Sequence, residues 1–189
     1  MTDAPDPKAA LRRQAFDARK AAFALAAHAV PPATEHLLAE IGPAADRIVS
    51  GYMPIRTELD PRPAMAALHR AGARLAVPVI AGRGLPLDFR EWRPDAALVE
   101  GPFGALIPEQ GDWLVPDTLI VPLVAFDARL NRLGYGGGFY DRTLALLRGR
   151  GPVRAIGFAF AAQELPGIPS EPTDEPLDAL VTETGVLRR

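Results

Sequence analysis

The chain has 189 residues and 20.2 kDa, with 48% hydrophobic and 23% charged residues, a net charge of −2 and a pI near 5.9. That is the make-up of a soluble globular protein, of a length one domain accommodates, and its mild acidity provides no global field for nucleic acid or membrane. No run approaches the ~20 apolar residues of a membrane span, the start MTDAPDPKAALRR lacks the apolar core of a secretory signal, and the absence of cysteine excludes disulfides, thiolate metal sites and cysteine nucleophiles, so a cytoplasmic protein is expected.

Residues 1–7 read as a loose tail. From Lys8 to His28 strong helix formers predominate, with Leu11, Ala15, Ala18, Ala22 and Leu25 as an apolar stripe at spacing three to four. Arg12, Arg13, Arg19 and Lys20 fall on the other faces, which read as solvated. Pro31-Pro32 marks the restart of a short helix that Gly42-Pro43 ends after Ile41. Residues 47–53 (RIVSGYM) form a strand, followed by a loop and a helix that ends at Gly72, and residues 73–82 (ARLAVPVIAG) form a second strand. Strand, helix and strand thus alternate as in a βαβ unit. Residues 85–110 are less regular, with Phe89 and Trp92 suggesting an edge strand or a lid.

Leu119–Phe126 is an apolar run of strand length. Asp127, Arg129, Asn131 and Arg132 then turn the chain polar, and four glycines follow within five positions: Gly134, Gly136, Gly137 and Gly138. From Phe139 apolar residues return at helical spacing through Leu144 and Leu147. A glycine turn opening a helix offers unpaired N–H groups to an anion, with Arg129 and Arg132 alongside and Asp141 placed to hold Mg²⁺ beside a phosphate. The same residues also fit a plain tight turn in which Asp141 only complements the helix dipole, and the chemistry alone favours neither reading. There is no Gly-Lys-Ser/Thr of a P-loop, and a dinucleotide fingerprint started at Gly134 needs glycine where Phe139 stands. A turn at 149–152, a strand at 153–160, a proline- and acid-rich loop at 162–178 and a short strand at 179–185 complete the chain. His28, His36 and His69 show no metal spacing.

The stretch RLGYGGGFYDR, with VAFD just upstream, resembles the signature of the 5-formyltetrahydrofolate cyclo-ligase family. The resemblance extends to KAALR near the start, to the glutamate after the first strand and to the acid-rich loop. Together with the alternation of strands and helices, it leads us to expect a single α/β domain, with a mostly parallel central sheet flanked by helices on both faces and a ligand site at the carboxyl ends of the strands. As for the reaction, the resemblance itself implies ATP- and Mg²⁺-dependent cyclisation of 5-formyltetrahydrofolate, through phosphorylation of the formyl oxygen, with no protein nucleophile.

By the same resemblance ATP meets Lys8, Arg12, Arg132, Leu133, Gly134, Tyr135, Gly136, Gly137, Gly138, Phe139 and Tyr140. The folate meets Met53, Glu58 and the stretch from Tyr135 to Phe139. Mg²⁺ is held by Asp141 and Asp174. Taken without the resemblance, Glu58 reads as a solvated loop acid and Met53 as core filling. The chain departs from the family pattern at Phe139, where tyrosine is usual, at Thr173, where histidine is common, and at Pro108-Glu109-Gln110 in the irregular segment. A non-catalytic relative that binds folate or nucleotide is the alternative; an RNA-associated role lacks a basic patch. Small-molecule substrates and a monomer are expected.

Overall fold

The computed structural model describes residues 7–188, the side chains of Pro7 and Phe103 excepted. In chain order the elements are helices α1 (Pro7–Phe23) and α2 (Ala26–Ile41), strand β1 (Ile48–Ser50), helix α3 (Arg62–Arg70), and strands β2 (Arg74–Ile80), β3 (Leu87–Trp92), β4 (Leu98–Glu100), β5 (Leu106–Pro108), β6 (Thr118–Val121), β7 (Ala125–Phe126) and β8 (Arg132–Leu133). Helix α4 (Phe139–Arg148) and strands β9 (Arg154–Phe158), β10 (Ala179–Thr182) and β11 (Gly185–Arg188) follow. The tail expected over 1–7 lies, but for Pro7, outside the described residues.

Seven strands pair in the order β11-β10-β9-β6-β1-β2-β3. The inner five are parallel, and the two edges, β11 and β3, are antiparallel hairpin partners of β10 and β2. Alternation along the parallel strands sorts the core into two layers. Leu75, Val77, Ile120, Ile156, Phe158 and Val181 face the apolar stripes of α2 and α3. Ala76, Leu119, Val121, Ala155 and Leu180 face Leu144 and Leu147 of α4. A period of two on a sheet covered on both sides yields this mostly parallel α/β architecture.

The direction of winding reverses between β1 and β6. From β1 the chain crosses by α3 to β2 on one side; from β6 it crosses by α4 to β9 on the other, over the opposite face. Such a reversal leaves a crevice at the carboxyl ends of the two strands. Helix α1 covers neither sheet face. It lies against the strand ends, where Ala15 packs with Val124, Ala125, Leu133, Leu165 and Ile168.

Several expected boundaries move. The first helix does not run to His28: it breaks at Ala24–Leu25, and Pro31 and Pro32 sit inside α2. Each proline forfeits one backbone hydrogen bond, but Ala29, Ala33, Leu37 and Ile41 bury a continuous stripe, and full burial of an aliphatic side chain such as Leu or Ile contributes about 1.5–3 kcal/mol. The run 119–126 is two strands, because Pro122 at its middle has no N–H to continue a ladder. The short final strand is a hairpin, β10 turning into β11. Arg19 is no solvated cation; it is 1% exposed, whereas Leu25, expected in the apolar stripe, is 64% exposed.

The VAFD stretch has a mechanical role. Asp127 is buried and accepts hydrogen bonds from the N–H groups of Arg129, Asn131 and Ile168 and from the Asn131 amide, at 3.0–3.1 Å. Burial alone opposes its charge, but those four donors prevail and hold its carboxyl below the ordinary range. They fix the loop between β7 and β8, and with it the direction in which the glycine turn leaves β8.

Candidate active site

A cavity of about 880 Å³ occupies the crevice, lined at its floor by Tyr52 and Met53 after β1, Pro78 and Ile80 at the end of β2, and Pro122 after β6. Every residue on which the sequence reading placed ATP, folate or Mg²⁺ lines it: Met53, Glu58, the stretch from Arg132 to Asp141, Asp174, and Lys8 and Arg12 from α1. Arg129 does not; its guanidinium turns back to Asp127 at 3.5 Å, and its side chain is 74% exposed.

One end of the cavity is built from backbone and charge. Gly136 has a φ of 97° and Gly138 a φ of 62°, left-handed conformations that strain other residues. Gly138 is the N-cap of α4, so the turn brings the N-terminus of that helix to the cavity. Two arginines brace the turn through its carbonyls: Arg12 Nε donates to Gly134 O at 3.0 Å, and an Arg142 nitrogen donates to Gly137 O at 2.6 Å. The Arg142 guanidinium also covers the Phe139 ring at 5.5 Å.

Around this turn the acids and bases are interleaved. Arg132 donates to Asp141 Oδ1 at 2.6 Å, and the same oxygen accepts from the N–H of Glu175 at 3.1 Å. Asp174, the preceding residue, accepts from Lys8 at 3.2 Å and from the N–H of Glu171 at 2.8 Å, both on Oδ2. Lys8 also pairs with Glu171 at 2.8 Å. Burial opposes the charge of Lys8, yet its two carboxylate partners prevail and raise its pKa. Burial lowers that of Arg132 despite Asp141, and its Nε is buried with no hydrogen-bond partner among the described residues.

Mg²⁺ commonly takes one or two protein carboxylates and completes its shell with water and phosphate oxygens. The donor set fits: Asp141 Oδ2 and Asp174 Oδ1 accept no hydrogen bond among the described residues, and the Glu175 N–H links their two segments. No cluster of three or more ligating side chains gathers among those residues, nor does such an ion require one.

The other end is built from buried side chains. Glu58 is 5% exposed, not the solvated loop acid that its position alone suggests. Its Oε2 accepts from the N–H of Ile55 at 2.8 Å and its Oε1 from the Tyr135 hydroxyl at 2.7 Å. Burial raises its pKa, and the Ile55 N–H, Tyr135 and nearby Arg19 only partly offset this. Met53 is 8% exposed, and Tyr52 donates to Leu59 O at 2.6 Å, pinning the loop that carries Glu58. The Tyr140 hydroxyl is buried at the cavity wall with no hydrogen-bond partner among the described residues, and burial pushes its pKa up.

Arg19 is the polar residue that sequence reasoning missed. It shares one face of α1 with Lys8 and Arg12, at spacings of four and seven, and that periodicity was its signal.

The sequence model of the 5-formyltetrahydrofolate cyclo-ligase family matches residues 5–183. The 5-formyltetrahydrofolate cyclo-ligase of Escherichia coli (strain K12) is 37% identical over 147 residues, covering 73% of this chain and 79% of that one. The enzyme of the same name from Mycolicibacterium smegmatis is 34% identical over 146 residues, covering 72% and 73%. In structure, the 5,10-methenyltetrahydrofolate synthetase of Aquifex aeolicus superposes with a TM-score of 0.75 at 28% identity, covering 96% of this chain and 92% of that one. The synthetase of Mycoplasma pneumoniae shares the fold, with a TM-score of 0.73 at 23% identity and coverage of 94% and 99%. With the family model spanning nearly its whole length, the chain belongs to the 5-formyltetrahydrofolate cyclo-ligase family.

Proposed function

We propose that the protein cyclises 5-formyltetrahydrofolate to 5,10-methenyltetrahydrofolate with ATP and Mg²⁺, releasing ADP and phosphate. The observation that carries this reading is the joining, in one cavity, of an anion-binding glycine turn at one end and a buried carboxylate beside aromatic and apolar walls at the other. The triphosphate lies at the turn, against the N–H groups of 134–138, with Lys8, Arg12 and Arg132 as its cations. The folate lies between Met53, Glu58 and the Tyr135–Phe139 face.

The formyl oxygen attacks the γ-phosphorus and ADP leaves. N10 then attacks the activated formyl carbon and gives up its proton to solvent, and phosphate departs with the former formyl oxygen. An amide carbonyl is a poor electrophile until that oxygen is phosphorylated, so the protein's task is alignment and charge compensation rather than covalent catalysis. Asp141 and Asp174 would hold Mg²⁺, which would supply compensation for the charge of the triphosphate. Glu58, flanked by fixed donors, keeps one orientation and presents its remaining lone pairs to the folate.

The deciding assay follows ADP release and methenyl absorbance together. Both must depend on 5-formyltetrahydrofolate, ATP and Mg²⁺. Tight folate or nucleotide binding without ADP release identifies a non-catalytic relative and overturns the proposal.

A further inference from the structure

The buried cation on α1 has no place in the reaction described above. Arg19 is 1% exposed and lies in a sleeve of aromatic rings, its guanidinium carbon 5.2 Å from the centroid of Phe16 and 5.5 Å from that of Tyr135. Its Nε donates to Thr57 Oγ1 at 3.0 Å and its Nη1 to the Tyr135 hydroxyl at 2.7 Å. One side chain therefore ties α1 to the loop carrying Glu58 and to the glycine turn.

The hydrogen-bond chemistry of this chain of groups runs one way. A guanidinium has donors and no acceptor, and an ionised carboxylate has acceptors and no donor. The Tyr135 oxygen must accept from Arg19, so its single proton is left to point at Glu58 Oε1, 2.7 Å away. Arg19 itself stops 3.9 Å short of that oxygen. It reaches the carboxylate through the tyrosine, whose ring is half exposed at the cavity wall.

We propose that Arg19 is a positioning residue for the folate end of the site, setting the polarity of the Tyr135 hydroxyl and thereby the orientation of Glu58. This rests on the reading of Glu58 as a folate contact. A structural strut and a positioning residue differ in what their loss disturbs. A strut that holds α1 in place serves both ends of the cavity, because Lys8 and Arg12 ride on the same helix. A positioning residue acting through Tyr135 serves the folate alone.

Calorimetry of the whole protein, with 5-formyltetrahydrofolate and ATP titrated separately, makes the distinction without requiring turnover. Arg19→Met and Tyr135→Phe should each weaken folate binding ~10- to 100-fold, the loss expected when a hydrogen bond to a charged group goes unmade, and leave unchanged the affinity for ATP, which uses the backbone N–H of residue 135 and not its hydroxyl. The double variant should match the worse single one, because both substitutions cut one chain. Tyr135→Phe removes only a hydroxyl from a half-exposed ring, so it decides alone if Arg19→Met does not fold. A parent that binds no folate overturns the reading of the site itself. A parent that binds folate while folded Tyr135→Phe binds it equally well overturns the role of Arg19, as does equal weakening of both ligands or multiplication of the two effects.

Discussion

The two ends of the cavity are made by different means. The phosphate end is built around one contiguous stretch, 132–141, whose glycine turn offers backbone N–H donors, with Lys8, Arg12 and Asp174 brought to it from α1 and a distant loop. The folate end is assembled from three distant segments, and its polar groups are buried and joined donor to acceptor. Backbone donors depend on φ and on the absence of a Cβ. Buried side chains depend on every partner being present. The first kind of site fails by local distortion, the second by losing any link in the chain.

The largest effect expected from this contrast is at Gly136. With φ at 97°, valine there is strained whatever the space, while the site of its Cβ stands in ordinary contact with the Arg12 guanidinium at 3.5 Å. Turnover should fall ~10²–10³-fold, the loss typical of a misplaced oxyanion donor, with a smaller change in thermal stability. Full activity in a folded Gly136→Val protein reduces the turn to a structural element.

Next come the aspartates. Asp141→Asn and Asp174→Asn should each raise the Mg²⁺ required for half activity about tenfold, within the range for disturbed metal sites, and the double variant should fall well short of the product of the two. Titration of activity with Mg²⁺ at fixed ATP reads this directly. If Asp141 served only the helix dipole, the Mg²⁺ curve of Asp141→Asn would overlay the parent's and stability would drop by ~0.3–1 kcal/mol.

At the folate end, Glu58→Gln should raise KM for 5-formyltetrahydrofolate and leave KM for ATP unchanged. Because Glu58 is buried, the amide sets an N–H₂ group against the donor of Ile55 or Tyr135, so a stability loss of ~1–3 kcal/mol accompanies it. The pH sign follows from its raised pKa. The ionised form that accepts from the folate is lost as pH falls through that raised value, above the ordinary glutamate range, and kcat/KM for folate should decline there. Protonation at the same time relieves the burial penalty, so this group's contribution to stability moves the opposite way. In Glu58→Gln the decline should vanish.

The smallest effect on activity, and a clear one on folding, belongs to Asp127. Asn in its place leaves some of four donors unpaired, a loss of about 2 kcal/mol, or ~4–8 °C in Tm for a chain of this size. Both KM values should hold at a temperature where the variant is folded. The depressed pKa of Asp127 contributes stability above its unfolded value near 4, lost as pH falls through the lower folded one.

Legibility in the sequence divides along the same line. The phosphate end was readable because its chemistry is local: glycine spacing, a helix start and an acid in the first turn lie within ten residues. Alternating strands and helices likewise disclosed the parallel sheet. What escaped was set by distant packing. Nothing near Ala24–Leu25 signals a helix break, and Pro31-Pro32 suggests one where tertiary burial overrides it. Arg19 looked like one solvated cation among four, since its burial depends on Phe16, Tyr135 and Thr57 together.

Helix α1 lies outside both faces of the sheet, and its buried residues are Ala15 and Arg19. Leu11, Phe16 and Ala22 add only half-buried apolar contact, so the helix should open at a lower free-energy cost than the sheet. In hydrogen exchange the amides of α1 should be released well before those of β6, and each ligand alone should slow them.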